Sequence, residues 1–118
     1  MKIRIGNNSL RYRLTRTEVE RFASEGIAKE TVQIGDEQLT YILERVLCDE
    51  LAVSFKNNII QLSVPEHLAN EWTNTERVGF DNKDSSGLYL LVEKDFKCLD
   101  NVTEDQSDNY ENPLANKK

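Results

Sequence analysis

The chain has 118 residues, of which 38% are hydrophobic and 31% are charged, and its formal net charge at pH 7 is −6. This length suits one domain, and no run of apolar residues is long enough for a membrane-spanning helix. A net acidic chain repels phosphate backbones at long range, so we expect no nucleic-acid partner. Met1 to Ile5 alternate between apolar and polar residues, unlike the apolar core of a secretory signal.

The N-terminal residues predict a β-hairpin. Ile3 and Ile5 alternate with cations, and so do Leu10, Tyr12 and Leu14. The residues between them, Gly6-Asn7-Asn8-Ser9, are typical of a tight turn, because asparagine tolerates the left-handed backbone conformation. We therefore expect the apolar face of this hairpin to point inward.

A helix is predicted to follow over residues 16–25. Thr15 and Glu18 have the spacing of a capping box, in which each side chain binds the backbone amide of the other residue. Val19 and Phe22 supply an apolar stripe, and Gly26 is well placed to end the helix.

The remaining elements repeat this alternation of hairpin and helix. Strands are predicted around Val32–Ile34 and Leu39–Leu43, and then at 51–55 and 59–64 on either side of an Asn57-Asn58 turn. A second helix is expected after Pro65, with Leu68, Ala69 and Trp72 on its apolar side. Phe22 and Trp72 are both expected to be buried. A short strand near Val78 and Phe80, a polar loop over 81–87 and an apolar strand over 88–92 complete the pattern.

A shift of about 50 residues aligns the chain with itself. Seven positions of the first half align with Phe55, Asn57, Asn58, Ile60, Leu62, Val64 and Trp72, and every apolar position stays apolar. Further on the shift becomes 48 or 49, so that Tyr41 aligns with Tyr89 and Glu44 with Glu93. We therefore expect an α+β fold of mostly antiparallel hairpins with two short helices. A duplicated ββαββ unit, with pseudo-repeats at about 1–48 and 51–98, would form two sheets or one curled, barrel-like sheet; chance similarity of hairpin–helix units is the alternative.

The predicted first hairpin has a strongly basic outer face. If Asn7-Asn8 is the turn, Arg4 lies opposite Arg11 and Lys2 lies opposite Arg13. Like charges directly opposite each other are destabilising unless something neutralises them. These four residues are therefore our candidate binding site for a small anion or an acidic protein, and an ordinary solvated surface is the alternative. The aligned positions of the second half, Ala52, Ser54, Gln61 and Ser63, are neutral.

No motif predicts an enzyme, a metal site or a cofactor. Cys98 follows the charged residues Glu93 and Asp95, but a nucleophile needs a base, and the single histidine, His67, lies on the predicted second helix. Cys48 and Cys98 are far apart, so we expect free thiols in a reducing, cytoplasmic compartment. A non-catalytic interaction domain is our first hypothesis. The alternative is an enzyme or small-molecule binder with a site at the junction of the two halves, near Glu93, Asp95 and Cys98.

The composition divides the chain into a domain over 1–99 and an acidic tail over 100–118. Residues 98–116 hold Asp100, Glu104, Asp105, Asp108 and Glu111 and no Lys or Arg. Since the basic hairpin shows no counter-charge nearby in the sequence, we expect the acidic segment to dock on it; a free, solubilising tail is the alternative.

The two ends of the chain resemble a bacterial family of short proteins of unknown function. The similar stretches are Lys2–Ile5, Ser9–Arg11, Arg13–Thr15, Glu18-Val19, Leu91–Phe96, Cys98-Leu99, Glu104-Asp105, Asp108 and Asn112-Pro113. The resemblance implies a bacterial, cytosolic setting. It implies no activity, cofactor or site residue.

Overall fold

The computed structural model describes residues 1–95, which form an α+β domain of eight strands and two helices. The first half contains β1 (Lys2–Gly6), β2 (Ser9–Leu14), α1 (Arg16–Glu25), β3 (Ile27–Ile34) and β4 (Glu37–Val46). The second half contains β5 (Ala52–Lys56), β6 (Ile59–Pro65), α2 (Glu66–Asn74), β7 (Gly79–Lys83) and β8 (Tyr89–Lys94). Each half is therefore strand–strand–helix–strand–strand, as predicted.

The eight strands form two four-stranded sheets, and each sheet takes one hairpin from each half. The first sheet has the order β1-β2-β8-β7 and the second has the order β3-β4-β6-β5. Hairpins are antiparallel, while the two central pairs, β2 with β8 and β4 with β6, are parallel. Of the two predicted arrangements, these residues adopt the two-sheet one, with no closed barrel.

The two sheets have corresponding registers. Leu10 lies beside Leu90 in the first sheet, and Ile60 lies beside Tyr41 in the second. Leu90 therefore occupies the position that corresponds to Tyr41, so the offset is 49 here and the alignment of Tyr41 with Tyr89 was wrong by one residue. A one-residue slip reverses the face of every side chain on a strand, which explains why a match by residue type alone was misleading.

The inner faces of the two sheets pack against each other, and the helices close one end of the core. The rings of Tyr12 and Tyr41 meet edge to face, with their centroids 6.0 Å apart. Phe22 of α1 and Trp72 of α2 are fully buried, as predicted, and their centroids lie 6.2 Å apart. Because this core draws on both halves, neither half is expected to fold alone.

The Asn-Asn turns, the capping box and the glycine at the end of α1 form as the sequence predicts. Asn7 and Asn8 have φ values of 51° and 54°, so both occupy the left-handed region that a two-residue hairpin turn requires. Thr15 and Glu18 form the reciprocal capping box, and Gly26 ends α1 with a φ of 77°. Asn57 and Asn58 repeat the left-handed turn, with φ values of 52° and 64°.

Two expectations need correction. Ile5 does not lie in the core but is 65% exposed, as is Phe55, at 66%, at the corresponding position of β5. Both residues lie on edge strands beside a turn, where only one neighbouring strand covers them. In addition, β7 continues to Lys83, so the first part of the predicted loop over 81–87 is a strand that pairs with β8.

The start of the chain is held by two carboxylates. The Met1 ammonium donates to Glu18 and, at 3.2 Å, to Glu30, while the Tyr41 hydroxyl donates to the Met1 carbonyl at 2.9 Å. Burial by itself would raise the pKa of Glu18, but the hydrogen bonds from the Met1 ammonium and the Thr15 amide outweigh it, so this pKa lies below its usual range. Glu18 thus joins the cap of α1 to the start of β1.

We expect Glu18→Gln to reduce the loss of stability in acid. A carboxylate with a depressed folded-state pKa stabilises the protein above its unfolded pKa of about 4.3, and this contribution disappears as the pH falls through the folded-state pKa. Glutamine keeps a capping side chain but has no charge, so the variant should be about 1 kcal/mol less stable at pH 7, allowing for partial exposure.

Urea unfolding at pH 7 and at pH 2–3 measures the difference. The stability difference between the two proteins should narrow as the pH falls through the folded-state pKa of Glu18, because protonation then removes the charge that the glutamine variant lacks. Glu20→Gln, at an exposed position of the same helix, is the control and should show no such convergence. A Glu18→Gln deficit that is constant with pH would contradict the ionic role of Glu18.

Candidate anion-binding face of the first hairpin

The β1–β2 hairpin brings the four predicted cations together. Arg4 lies directly opposite Arg11, and Lys2 lies directly opposite Arg13. Since alternate residues of β2 (Leu10, Tyr12 and Leu14) are buried, Arg11 and Arg13 project from the other face of the first sheet. This outer face, with Lys2, Arg4, Arg11 and Arg13, is called the basic face below.

Two of the four cations already have carboxylate partners, which corrects the expectation of a face without nearby counter-charge. The Arg13 guanidinium donates to Glu93 at 2.7 Å and 3.0 Å, and the Lys2 ammonium lies 3.0 Å from Asp95. Glu93 and Asp95 are distant in sequence, but β8 pairs in parallel with β2 and places Glu93 beside Arg13. The opposed pair Lys2 and Arg13 is therefore neutralised by carboxylates of the chain itself.

The second opposed pair, Arg4 and Arg11, has no such carboxylate partners among residues 1–95. Within residues 1–95 neither guanidinium forms an ion pair. The Arg11 guanidinium carbon lies 5.8 Å from the centre of the Tyr89 ring, in cation–π contact, and the Tyr89 hydroxyl donates to Asp81 at 2.7 Å. The bond to Asp81, together with partial burial, raises the pKa of Tyr89. Arg11 is thus held in place by an aromatic ring that leaves its donors available.

A small cavity lies over this hairpin. It has a volume of about 270 Å³ and is lined by Lys2, Ile3, Arg4, Arg11 and Arg13. Clefts for drug-sized ligands usually have volumes of about 300–1,000 Å³, so this cavity suits a single oxyanion group better than a larger molecule. Guanidinium groups of the kind that line this cavity can bind a carboxylate or phosphate through two parallel hydrogen bonds.

The four corresponding positions of the β5–β6 hairpin are neutral. Ala52 lies opposite Ser63, and Ser54 lies opposite Gln61, as the sequence predicted. The Gln61 amide donates to Glu44 at 2.6 Å. The same backbone geometry therefore occurs twice, but only the first hairpin concentrates positive charge.

A second, larger cleft lies at the junction of the two halves. It has a volume of about 800 Å³, and its walls come from the end of β2, from α1, from the C-terminal end of α2 and from the end of β8. Its described hydroxyls are occupied, because Thr73 donates to the Ala69 carbonyl at 2.9 Å and Thr75 donates to the Glu71 carbonyl at 2.6 Å. Lys94 donates to the Thr75 carbonyl at 2.9 Å. The cleft is thus large enough for a ligand, but the hydroxyls of Thr73 and Thr75 are already bound to carbonyls of α2.

The residues of the alternative site separate in the structure. Asp95 lines the junction cleft, whereas Glu93 lies on the basic face with Arg13. Cys98 and the acidic segment 100–118 lie outside the described residues. His67 is exposed, and Cys48 donates to the Glu50 carbonyl at 3.3 Å. In the part of the chain that the structure describes, no three or more His, Cys, Asp or Glu residues are grouped to hold a metal ion.

Sequence reasoning missed Tyr89 and Asp81 as parts of the basic face. The alternation of Tyr89, Leu91 and Glu93 on one face of β8 was visible in the sequence, but the sequence did not show which strand lies beside β2.

Neither α1 nor α2 is long and apolar enough to span a membrane.

Comparison with known proteins gives a family and no activity. The model of a family of unknown function, DUF7009, matches residues 1–114. No curated protein and no solved structure shows significant similarity. Because the match extends over nearly the whole chain, the protein belongs to the DUF7009 family of unknown function.

Proposed function

We propose that the basic face binds an oxyanion, either a small anion or a carboxylate of an acidic protein, and that Arg4 and Arg11 are the residues that hold it. The observation that carries this proposal is the directly opposed Arg4–Arg11 pair, without a carboxylate partner among residues 1–95, beside a cavity of about 270 Å³. No catalytic step is part of the proposal.

The electrostatics of the hairpin favour this assignment. Directly opposed like charges on neighbouring strands are destabilising, by roughly 0.2–1 kcal/mol, and a bound anion removes that repulsion. Glu93 and Asp95 neutralise Arg13 and Lys2, so the uncompensated charge is concentrated at Arg4 and Arg11. The planar guanidinium fork suits bidentate contact with a carboxylate or phosphate.

Titration with two probes tests the proposal and distinguishes the two sources of the oxyanion. Inorganic phosphate represents the small anion, and a hexaglutamate peptide represents the acidic protein surface. Loss of one charge-assisted hydrogen bond contributes about 1.5–3 kcal/mol, so Arg11→Gln and Arg4→Gln should each weaken binding about tenfold or more. Isothermal calorimetry at low ionic strength measures this, and binding should weaken as salt is added.

Lys56→Gln is the matched control. Lys56 lies beside the turn of the β5–β6 hairpin, on the other sheet, and the substitution changes the net charge by the same amount. Measured at 0.1 M salt, where long-range effects are screened beyond about 10 Å, it should leave the affinity within about twofold. Failure of both probes to bind, or Arg11→Gln binding as tightly as the parent, would refute the proposal.

The same variants carry a second signature. Without an anion, Arg4→Gln should be equally stable or more stable, by up to about 1 kcal/mol, because it removes the repulsion from Arg11. If Arg4 were retained for structure, Arg4→Gln would instead be less stable than the parent protein.

Deletion of residues 100–118 is a further experiment. If the truncated protein binds the anion more tightly, the acidic segment is an internal competitor for the basic face.

A small-molecule site in the junction cleft is a second candidate. Its volume of about 800 Å³ lies within the range of ligand clefts, and two buried apolar residues, Leu14 and Val19, contribute to its lining. NMR shift mapping with a fragment library would test it. Shifts confined to α1, the end of α2 and the end of β8 would support this site, whereas shifts scattered over the surface would count against it.

We further propose that the chain contains two copies of one ββαββ unit, one in each half. Support comes from hydrogen bonds at corresponding positions: the Tyr89 amide donates to Asn8 and the Thr40 amide to Asn58. Likewise, the Lys94 amide donates to Val78 and the Arg45 amide to Gly26. In this interpretation one copy acquired the basic face and the other kept a neutral one.

A cytoplasmic setting is also part of the proposal. Small secreted domains usually contain several disulfides at close spacing, whereas this sequence has two widely separated cysteines. A thiol reagent that does not cross membranes checks this setting. It should label Cys48 only after the cells are lysed.

A further inference from the structure

We propose that two copies of this chain associate through the outer edges of their β3 strands, forming one continuous eight-stranded sheet. The proposal is independent of the anion site, which lies on the other sheet. The two sheets have four edge strands, β1, β7, β3 and β5. β3 has eight residues, whereas each of the other three has five.

The outer edge of β3 carries hydrogen-bonding groups with no partner strand within residues 1–95. Ile34 and Glu37 flank the two-residue Gly35-Asp36 turn, so they form a hydrogen-bonded pair, and the pairing then alternates along the strand. The Arg45 amide bond to the Gly26 carbonyl, at 2.9 Å, agrees with this alternation. The amide and carbonyl groups of Lys29, Thr31 and Gln33 therefore point away from β4. An exposed row of this kind is a template for another strand.

The chemistry of β3 lacks the usual protection of an edge. Its last four residues, Thr31-Val32-Gln33-Ile34, contain no charge and no proline, and Val32 and Ile34 are 42% and 58% exposed. Natural edge strands commonly avoid association by means of charges, proline or bulges. By contrast, β1 contains Lys2 and Arg4, and self-pairing about Ile3 would oppose these two cations.

The β3 edge is self-complementary, which selects a second copy as its partner. Antiparallel pairing about a two-fold axis at Thr31 sets Thr31 against Thr31, and it sets Ile34 against Ala28 of the second copy. In the same register Lys29 faces Gln33 and Glu30 faces Val32, so no like charges meet. Because each chain has one such edge, the contact closes at a dimer and does not propagate.

Sedimentation of the full chain tests the dimer. As concentration rises, the molar mass should approach twice the 13.6 kDa of one chain. Thr31→Pro removes one outward amide and leaves the backbone hydrogen bonds to β4 in place, so it should keep the protein monomeric. The proline variant also loses the 3.2 Å contact between the Thr31 and Thr40 hydroxyls, and the valine variant described next loses it equally. Thr31→Val, which keeps the amide, is the matched control and should dimerise like the parent. Circular dichroism and melting temperature establish that each variant is folded.

Val32→Glu provides a second variant that leaves every backbone group in place. In the proposed register it sets a carboxylate opposite Glu30 of the second copy at two symmetric positions, so it should shift the equilibrium to monomer by about tenfold. A parent protein that stays monomeric up to about 1 mM would overturn the proposal, as would a dimer that neither Thr31→Pro nor Val32→Glu weakens. Dimerisation that appears only after deletion of residues 100–118 would overturn it too, because the edge would then be covered by the chain's own segment.

Discussion

Replacement of Trp72 by alanine is expected to lower the free energy of unfolding by about 3–5 kcal/mol. Trp72 is fully buried and contacts aromatic rings from both halves, with ring centroids 6.2 Å from Phe22 and 5.5 Å from Phe80. Its indole nitrogen also donates to the Val78 carbonyl at 2.9 Å, so the substitution removes a partly buried hydrogen bond as well as packing. For a domain of this size such a loss is a large part of the total stability.

Phe55→Ala is the matched control for this prediction. Phe55 is 66% exposed, so truncating the same kind of side chain should cost much less than in the core. Thermal and urea unfolding measure both variants. A Trp72→Ala protein with the melting temperature of the parent would show that α2 does not contribute to the core.

The second large effect is expected for Gly79→Ala. A Cβ atom at Gly79 would lie 2.4 Å from the Val92 carbonyl oxygen and 2.9 Å from the Glu93 Cα, and both neighbours are backbone atoms that cannot turn aside. Overpacking of this kind typically costs about 1–3 kcal/mol and occasionally more. Since the added Cβ would also lie 2.9 Å from the Glu93 Cβ, relief of the clash should displace Glu93 from Arg13 on the basic face.

Gly6→Ala separates this clash from the general cost of changing a glycine. A Cβ at Gly6 would meet no atom within 4 Å, and Gly6 has no positive φ. It should therefore be neutral or slightly stabilising, through reduced entropy of the unfolded chain. Equal effects of Gly79→Ala and Gly6→Ala would contradict the close approach of β7 to β8.

A further test of Gly79→Ala is its effect at the anion site. Displacement of Glu93 would leave Arg13 without its carboxylate partner and would thus increase the positive charge available on the basic face. We expect the folded fraction of Gly79→Ala to bind phosphate at least as well as the parent protein does. Glu93→Gln should show the same gain without the loss of stability that the backbone clash causes.

The local features of this protein were readable from the sequence because each depends on a few neighbouring residues. The Asn7-Asn8 and Asn57-Asn58 turns follow from the tolerance of asparagine for positive φ. The capping box of α1 follows from the spacing of Thr15 and Glu18. The first of these turns sets Arg4 opposite Arg11 and Lys2 opposite Arg13, so the four cations of the basic face were predictable, whereas their carboxylate and aromatic neighbours on β7 and β8 were not.

Ile5 shows where the same local reasoning fails. Alternation correctly placed it on the apolar side of β1, yet it is 65% exposed. A side-chain direction depends on the pleat of the strand, which is local, whereas burial depends on which other elements lie over that face. Local pattern therefore predicted its orientation and could not predict its environment.

What the sequence by itself determined is the set of hairpins, the two helices and the charge of the first hairpin's outer face. Only the tertiary structure decided that β2 and β8 lie side by side, which brings Glu93 to Arg13 and Asp95 to Lys2 and leaves Arg4 and Arg11 as the uncompensated pair. Hairpin pairs are close in the chain and their register follows from the turn, whereas the parallel β2–β8 pair joins residues 80 positions apart, as in Arg13 and Glu93. The register of this pair is selected by burial of a core shared between both halves, and no short stretch of sequence encodes that choice.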